Sequence, residues 1–302
     1  MRYRIRHTTT YQYLEPVAVS HNVVHLAPRD SATQRCLRHE LTVSPGPAVS
    51  HERRDYFGNR VGSFTVQDHH RELVVRATSE VEMRTLAAPE AASTPAWEEV
   101  RDRLRAGTAP GAFLPLGPEE FLHDSPLVPT AADLAAYAAP SFTPGRPLLA
   151  AAIDLNHRVH ADFAYASGAT SVTTTLAEVL ERRVGVCQDF AQVLIGCMRS
   201  LGLPAVYVSG YLETMPPPGV ERLVGADASH AWAAVHCPGV AGTHGDGWVH
   251  LDPTNDCLPA ERHITVAIGR DFSDVSPIKG MILGGGAHRV AVAVDVIPMA
   301  GR

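Results

Sequence analysis

Long apolar runs are missing from this chain. No segment of the 302 residues approaches the roughly 18 consecutive apolar residues that a membrane-spanning helix needs. Charge of one sign is nowhere concentrated: 26 Lys and Arg against 32 Asp and Glu give a formal net charge of −6. Binding to phosphate backbones needs a concentrated basic surface, so nucleic acid is not an expected partner, and neither is a membrane. Cysteine is scarce, with only Cys36, Cys187, Cys197, Cys237 and Cys257, an odd number in no zinc spacing. If Cys187 and Cys197 share a helix, they stand about 15 Å apart along its axis. A disulfide needs Cα atoms within about 7 Å. His236, His244 and His250 also lack a zinc spacing, and no acidic loop has a calcium pattern, so no metal or other cofactor is expected. The basic start Met1–Arg6 is followed by no apolar stretch and makes a poor leader. A reduced, cytoplasmic protein is the expectation.

What is present is the composition of a globular protein, 45% hydrophobic and 19% charged. Residues 1–84 alternate in the manner of strands: Tyr3, Ile5 and His7 against Arg2, Arg4 and Arg6, with further runs at Val61–Val66, Leu73–Ala77 and Val81–Met83. An antiparallel, sandwich-like β domain is expected there, acting as scaffold or docking module. Residues 85–147 are rich in Ala and Pro and read as a connection on the surface or between domains. Within it Trp97–Arg105 has helical spacing, and Thr130 is placed to cap a helix over Ala131–Ala139. Residues 148–302 read as a second, α+β domain, with helices near 146–162 and 176–183, the latter preceded by Thr173–Thr175.

The chemistry concentrates around Gly185-Val186-Cys187-Gln188-Asp189-Phe190-Ala191. Phe190, Leu194, Cys197, Met198 and Leu201 form one apolar helical face, and Gly202 and Pro204 end it. Cys197 belongs to that face and reads as core. Cys187 precedes it, at the helix N-terminus, where unpaired N–H groups and the positive end of the dipole suit an anion. The period then changes to two, giving strands at Ala205–Leu212, Ser229–His236 and Trp248–Asp252. A turn near Gly242 sets residue 252 opposite 232, which makes His230 and Asp252 neighbours on one face. Thiol, imidazole and carboxylate are the parts of a nucleophile, its proton carrier and an orienting acid. The alternative is a buried thiol and a solvent-facing histidine, since the chain has 16 histidines. The backbone N–H of Cys187 is the candidate oxyanion donor. Gln188, in the first turn, and Trp232 and Trp248, on the faces of His230 and Asp252, are candidates for substrate or oxyanion contact; core packing is the alternative for both tryptophans. Asp189 reads as a structural cap. Thr214–Leu223, with three consecutive prolines, reads as a rim or lid. Ile264–Ile268 and Val290–Val296 are further strands, with a turn at Gly284-Gly285-Gly286.

Four blocks resemble the bacterial transglutaminase-like family: Gly185–Ala191; Leu203–Tyr211; Asp227-Ala228-Ser229-His230-Ala231-Trp232; and Leu251-Asp252-Pro253-Thr254-Asn255. They span roughly residues 150–275. Arg54-Asp55-Tyr56-Phe57-Gly58-Asn59 resembles the β-rich N-terminal region that accompanies this core. The resemblance implies a papain-like α+β core, with a nucleophile helix packed on an antiparallel sheet and Cys187, His230 and Asp252 as triad. It implies thioester-mediated acyl transfer on a peptide or protein amide, with water or an amine as acceptor, and hydrolysis is the favoured outcome. The other readings are protein cross-linking and a non-catalytic peptide-binding module. The resemblance also implies a functional link to ATP-grasp-type peptide ligases.

Overall fold

The computed structural model describes residues 1–85, 87–107, 117–171, 173–214, 228–240 and 247–299. Its first sheet is organised by one strand, β1 (Arg2–Val24), whose Tyr3, Ile5, His7 and Thr9 are buried while Arg2, Arg4 and Arg6 face solvent. At 23 residues β1 serves two sets of partners. β2 (Gln34–Ser44), β3 (Val49–Arg54), β4 (Arg60–Val66) and β5 (His70–Met83) complete the order β2-β5-β1-β4-β3, all antiparallel. The opposite edge of β1 is taken by the last two strands of the chain, Ile278–Gly284 and His288–Met299. The tail of the 148–302 segment therefore returns to the first sheet instead of extending the second. Alternation in Val290–Val296 announces a strand but not its partner; the free N–H and C=O groups along β1 decide that.

The described parts of the Ala/Pro-rich segment contribute buried side chains to the core. Helix α1 (Trp97–Arg105) buries Val100 and Leu104, α2 (Ala132–Ala138) buries Leu134, and Phe121 and Val128 between them are enclosed. Buried Arg199 bonds it to the core: Nε donates to the Phe121 carbonyl (3.1 Å), Nη1 to Ser125 Oγ (3.1 Å), and Nη2 to the carbonyls of Ala205 (2.8 Å) and Arg270 (2.7 Å). Thr130 does not cap α2. Its N–H and hydroxyl both donate to Asp124 (2.8 and 2.7 Å), and Ala131 occupies the cap position.

The second half begins with α3 (Leu148–Asp162), β6 (Ala164–Tyr165), α4 (Leu176–Arg182) and β7 (Val184–Gly185). Thr175 caps α4 in a capping box with Glu178. Helix α5 (Cys187–Ser200) follows, then β8 (Ala205–Leu212), β9 (Ala228–His236), β10 (Trp248–Leu251), β11 (His263–Gly269) and the short α6 (Phe272–Val275); the two tail strands are β12 and β13. The second sheet runs β10-β9-β8-β11, antiparallel throughout. Its pairing of Trp248 with His236 and Leu251 with Ala233 puts position 252 across from 232, the register expected from a turn at Gly242. That turn, and the expected rim beyond Thr214, fall outside the described residues.

The α5–β8 turn sets the direction of approach. Gly202 takes φ +78°, and the N–H groups of Gly202 and Leu203 return to the carbonyls of Arg199 and Met198. The chain reverses into β8, so helix and strand run antiparallel. The N-terminus of α5 therefore lies beside the end of β8, where β9 begins. Ala205, Tyr207, Ala231, Ala233 and Val235 form the face against α5, in one core with Phe190, Leu194, Cys197 and Met198.

Candidate active site

Cys187 opens α5, half-buried, after the extended cap residue Val186. Asp189 secures this turn. Its Oδ2 accepts the Val186 N–H (2.8 Å) and the Thr170 hydroxyl (2.7 Å), the capping role expected of it. Gly185 allows that approach, since a Cβ there would stand 2.7 Å from Asp189 Oδ2 and 2.8 Å from its Cβ. Gly185→Ala is expected to push Asp189 off the cap and to cost about 1–3 kcal/mol, measured by urea unfolding. The cysteine side chain lies close enough to His230 to act on the charge of its ring.

His230 Nε2 lies 2.7 Å from Asp252 Oδ2, which leaves Nδ1 as the ring atom for the thiol. Asp252 is wholly buried and receives four more donors. His263 Nε2 (3.0 Å) and Asn255 Nδ2 (2.7 Å) reach Oδ2, while the N–H groups of Thr254 (2.9 Å) and Asn255 (3.1 Å) reach Oδ1. An ionised carboxylate only accepts, so both rings present N–H to it. Burial would raise the Asp252 carboxyl, but the hydrogen bonds from His230, His263 and Asn255 outweigh it and hold the group far below the usual range. Burial likewise would lower His230, yet its bonds to Asp252 and Cys187 and their charges raise it to about 9. For His263 burial wins and the ring is lowered. The charged imidazole is thus His230, while His263 serves as a neutral donor. His230, Asp252 and His263 are also the one group of three metal-type ligands among the described residues. Both ring nitrogens lie at hydrogen-bond distance from one carboxylate oxygen, which accepts from each of them.

Protonation of His230 stabilises the fold. The folded value lies above the ordinary one near 6.5, so this contribution is complete below about pH 6.5 and vanishes as pH rises through about 9; it amounts to about 3 kcal/mol. Titrating His230 by NMR is expected to show the imidazolium through neutral pH and loss of the proton near pH 9. In Asp252→Asn the titration should fall back towards the ordinary range. A wild-type ring titrating near 6.5 would contradict this electrostatic account.

Of the other residues singled out from sequence, Trp232 is at the site and Trp248 is not. The Trp232 ring centre lies 5.9 Å from that of His230 and 5.3 Å from that of His263, and its indole N–H donates to His250 Nδ1 (2.7 Å). Gly210, opposite His230 in register, makes room for it: a Cβ there would lie 2.4 Å from the indole ring. Trp248 pairs at the far end of β10 and packs against Phe121 and His236, so it is core. Gln188 is half-buried in the first turn of α5. Sequence reasoning missed His263 and gave Asn255 no role. Asn255 follows Asp252 by three residues, a reach typical of Asx-type turns. His263 arrives from β11, the opposite edge of the sheet from β10, and no local spacing signals it.

A nucleophile-type helix N-terminus facing an imidazole and carboxylate across an antiparallel sheet defines a transglutaminase-like α+β core behind a β-rich N-terminal unit. The chain belongs to the bacterial transglutaminase-like family: residues 3–82 match the bacterial transglutaminase-like N-terminal region, and residues 136–253 match the transglutaminase-like superfamily core. Uncharacterized proteins of Mycobacterium tuberculosis and Mycobacterium bovis are each 43% identical over 305 residues, covering 99% of this chain and 94% of the relative. One from Mycobacterium leprae is 31% identical over 304 residues, covering 99% of both chains. Among solved structures, one described as "a Putative Cysteine Protease from Cytophaga hutchinsonii" shares the fold. Its TM-score is 0.74 at 19% identity, covering 100% of this chain and 92% of that one.

Proposed function

We propose that this protein is a cysteine-dependent acyl-transfer enzyme that hydrolyses a peptide or amide bond through a thioester on Cys187. The observation that supports the reading is the buried His230–Asp252 pair, whose carboxylate accepts five hydrogen bonds, with Cys187 at the start of α5 close enough to act on the imidazole. The Cys187 thiolate attacks the carbonyl carbon, and the Cys187 N–H at the helix start faces the developing oxyanion. The C–N bond breaks as His230 gives its proton to the departing amine. Water then attacks the thioester, passing a proton to His230, and releases the acid with the thiolate restored. An amine in place of water would give transamidation by the same steps; water is favoured because it is always present at the site.

The test is to incubate a mixed peptide library with the protein and count cleaved against amine-linked products by mass spectrometry. Cleavage that disappears in Cys187→Ala is expected. Amine-linked products outnumbering hydrolysis would reassign the acceptor, and products persisting in Cys187→Ala would overturn the reading.

A further inference from the structure

A cleft of about 640 Å³ opens beside the His230–Asp252 pair, between the first sheet and the second. Asn255 and His263, which hold Asp252, are among its lining residues. Tyr3 of β1, Leu212 of β8 and Leu258 give it apolar walls. Glu213 projects into it, only 6% exposed. Its Oε2 accepts the Tyr3 hydroxyl (2.8 Å), while among the described residues nothing donates to Oε1. Glu261 lines the same cleft and acts with Glu213 on the Tyr3 hydroxyl, against a single exposed Arg262. A carboxylate oxygen with no donor among the described residues, opening into a cleft with apolar walls, suits a cation on an aliphatic stem.

We infer that this cleft selects a basic side chain on the residue whose amine leaves, so that the bond cut precedes a lysine- or arginine-type residue. The inference rests on the acyl-transfer reading above. His230 Nδ1, facing Cys187, protonates the leaving nitrogen. Asn255 Nδ2 lies 3.3 Å from Nε2 and also lines the cleft, so Asn255 joins the histidine ring to the cleft. Glu213 touches neither Cys187 nor His230, and the charge it holds is therefore not the reacting nitrogen. The tie from Glu213 to Tyr3 uses one oxygen only and accounts for the position of the carboxylate, not for its free one.

Acyl-enzyme partitioning isolates this side of the site. p-Nitrophenyl acetate acetylates Cys187, and lysinamide, norleucinamide or glutamamide then competes with water. The α-nitrogen attacks the thioester carbon, the C–S bond breaks, and the amine's proton passes through His230. Lysinamide is expected to give about tenfold more Nα-acetyl product than norleucinamide at equal free-amine concentration, a difference of about 1.4 kcal/mol. Glu213→Gln, whose amide oxygen still accepts from Tyr3, should abolish the preference while hydrolysis of the acetyl-enzyme continues. Protection of Cys187 from iodoacetamide by lysinamide but not norleucinamide reads the cleft without turnover. Equal use of lysinamide and norleucinamide, a preference that survives in Glu213→Gln, or acetylation at the ε-nitrogen would each overturn the inference. Loss of the Cys187-dependent acetylation itself would instead overturn the acyl-transfer reading, with the protection assay still deciding the cleft.

Discussion

Cys187→Ala is expected to lower turnover of any amide or activated ester by at least about 10⁴-fold, because no other group in the set can form the acyl intermediate. Stability should hardly change, since the side chain is half-buried and the helix keeps its Asp189 cap. The other thiols cannot substitute. Cys197 and Cys237 are fully buried, and burial pushes Cys197 up to about 12. Burial also raises Cys36, and pushes Cys257 up to about 11. Iodoacetamide at neutral pH should therefore label one position rapidly in the wild type and none rapidly in the variant. Rapid single-site labelling that survives in Cys187→Ala would show that the reactive thiol lies elsewhere. If rapid labelling persisted in His230→Ala, that ring would not be the partner.

Asp252→Ala should damage both activity and folding. The wholly buried carboxylate is the meeting point of two imidazoles, one side-chain amide and two backbone N–H groups. Its removal leaves five donors enclosed without an acceptor and frees the His230 ring to rotate. Breaking a buried charged pair costs about 3–5 kcal/mol, and loss of the orienting acid costs about 10⁴ in kcat in the serine-protease precedent. Asp252→Asn separates the two effects. Its shape is kept, but its amide N–H₂ must face at least one of the ring N–H groups, so activity should fall nearly as far while urea unfolding recovers part of the loss. Equal activity in wild type and Asp252→Asn would remove the carboxylate from the mechanism.

Legibility in the sequence followed the range of the interaction. The nucleophile helix, its apolar stripe, its glycine stop and the capping role of Asp189 each rest on residues about three or four apart, and local spacing carried them. The facing of His230 and Asp252 was also legible, because a single antiparallel hairpin has a countable register. Trp248 shares the parity of Asp252 but sits at the other end of the strand, so parity alone placed it on the right face and the wrong distance away. Thr130 had the residue type of a cap, yet Asp124 took both of its donors.

The sequence by itself placed one thiol at the mouth of an apolar helix and set a histidine and an aspartate facing each other across a hairpin, because helix and strand periods fix which positions share a face. Only the tertiary structure decided who completes the set. His263 comes from the far edge of the sheet, and Gly210 opens the space that Trp232 fills beside both rings. The last two strands close on β1, and Glu213 meets Tyr3 across 210 residues of chain. Those partners are selected by free strand edges and by unsatisfied buried donors and acceptors, quantities that exist only once the chain has packed.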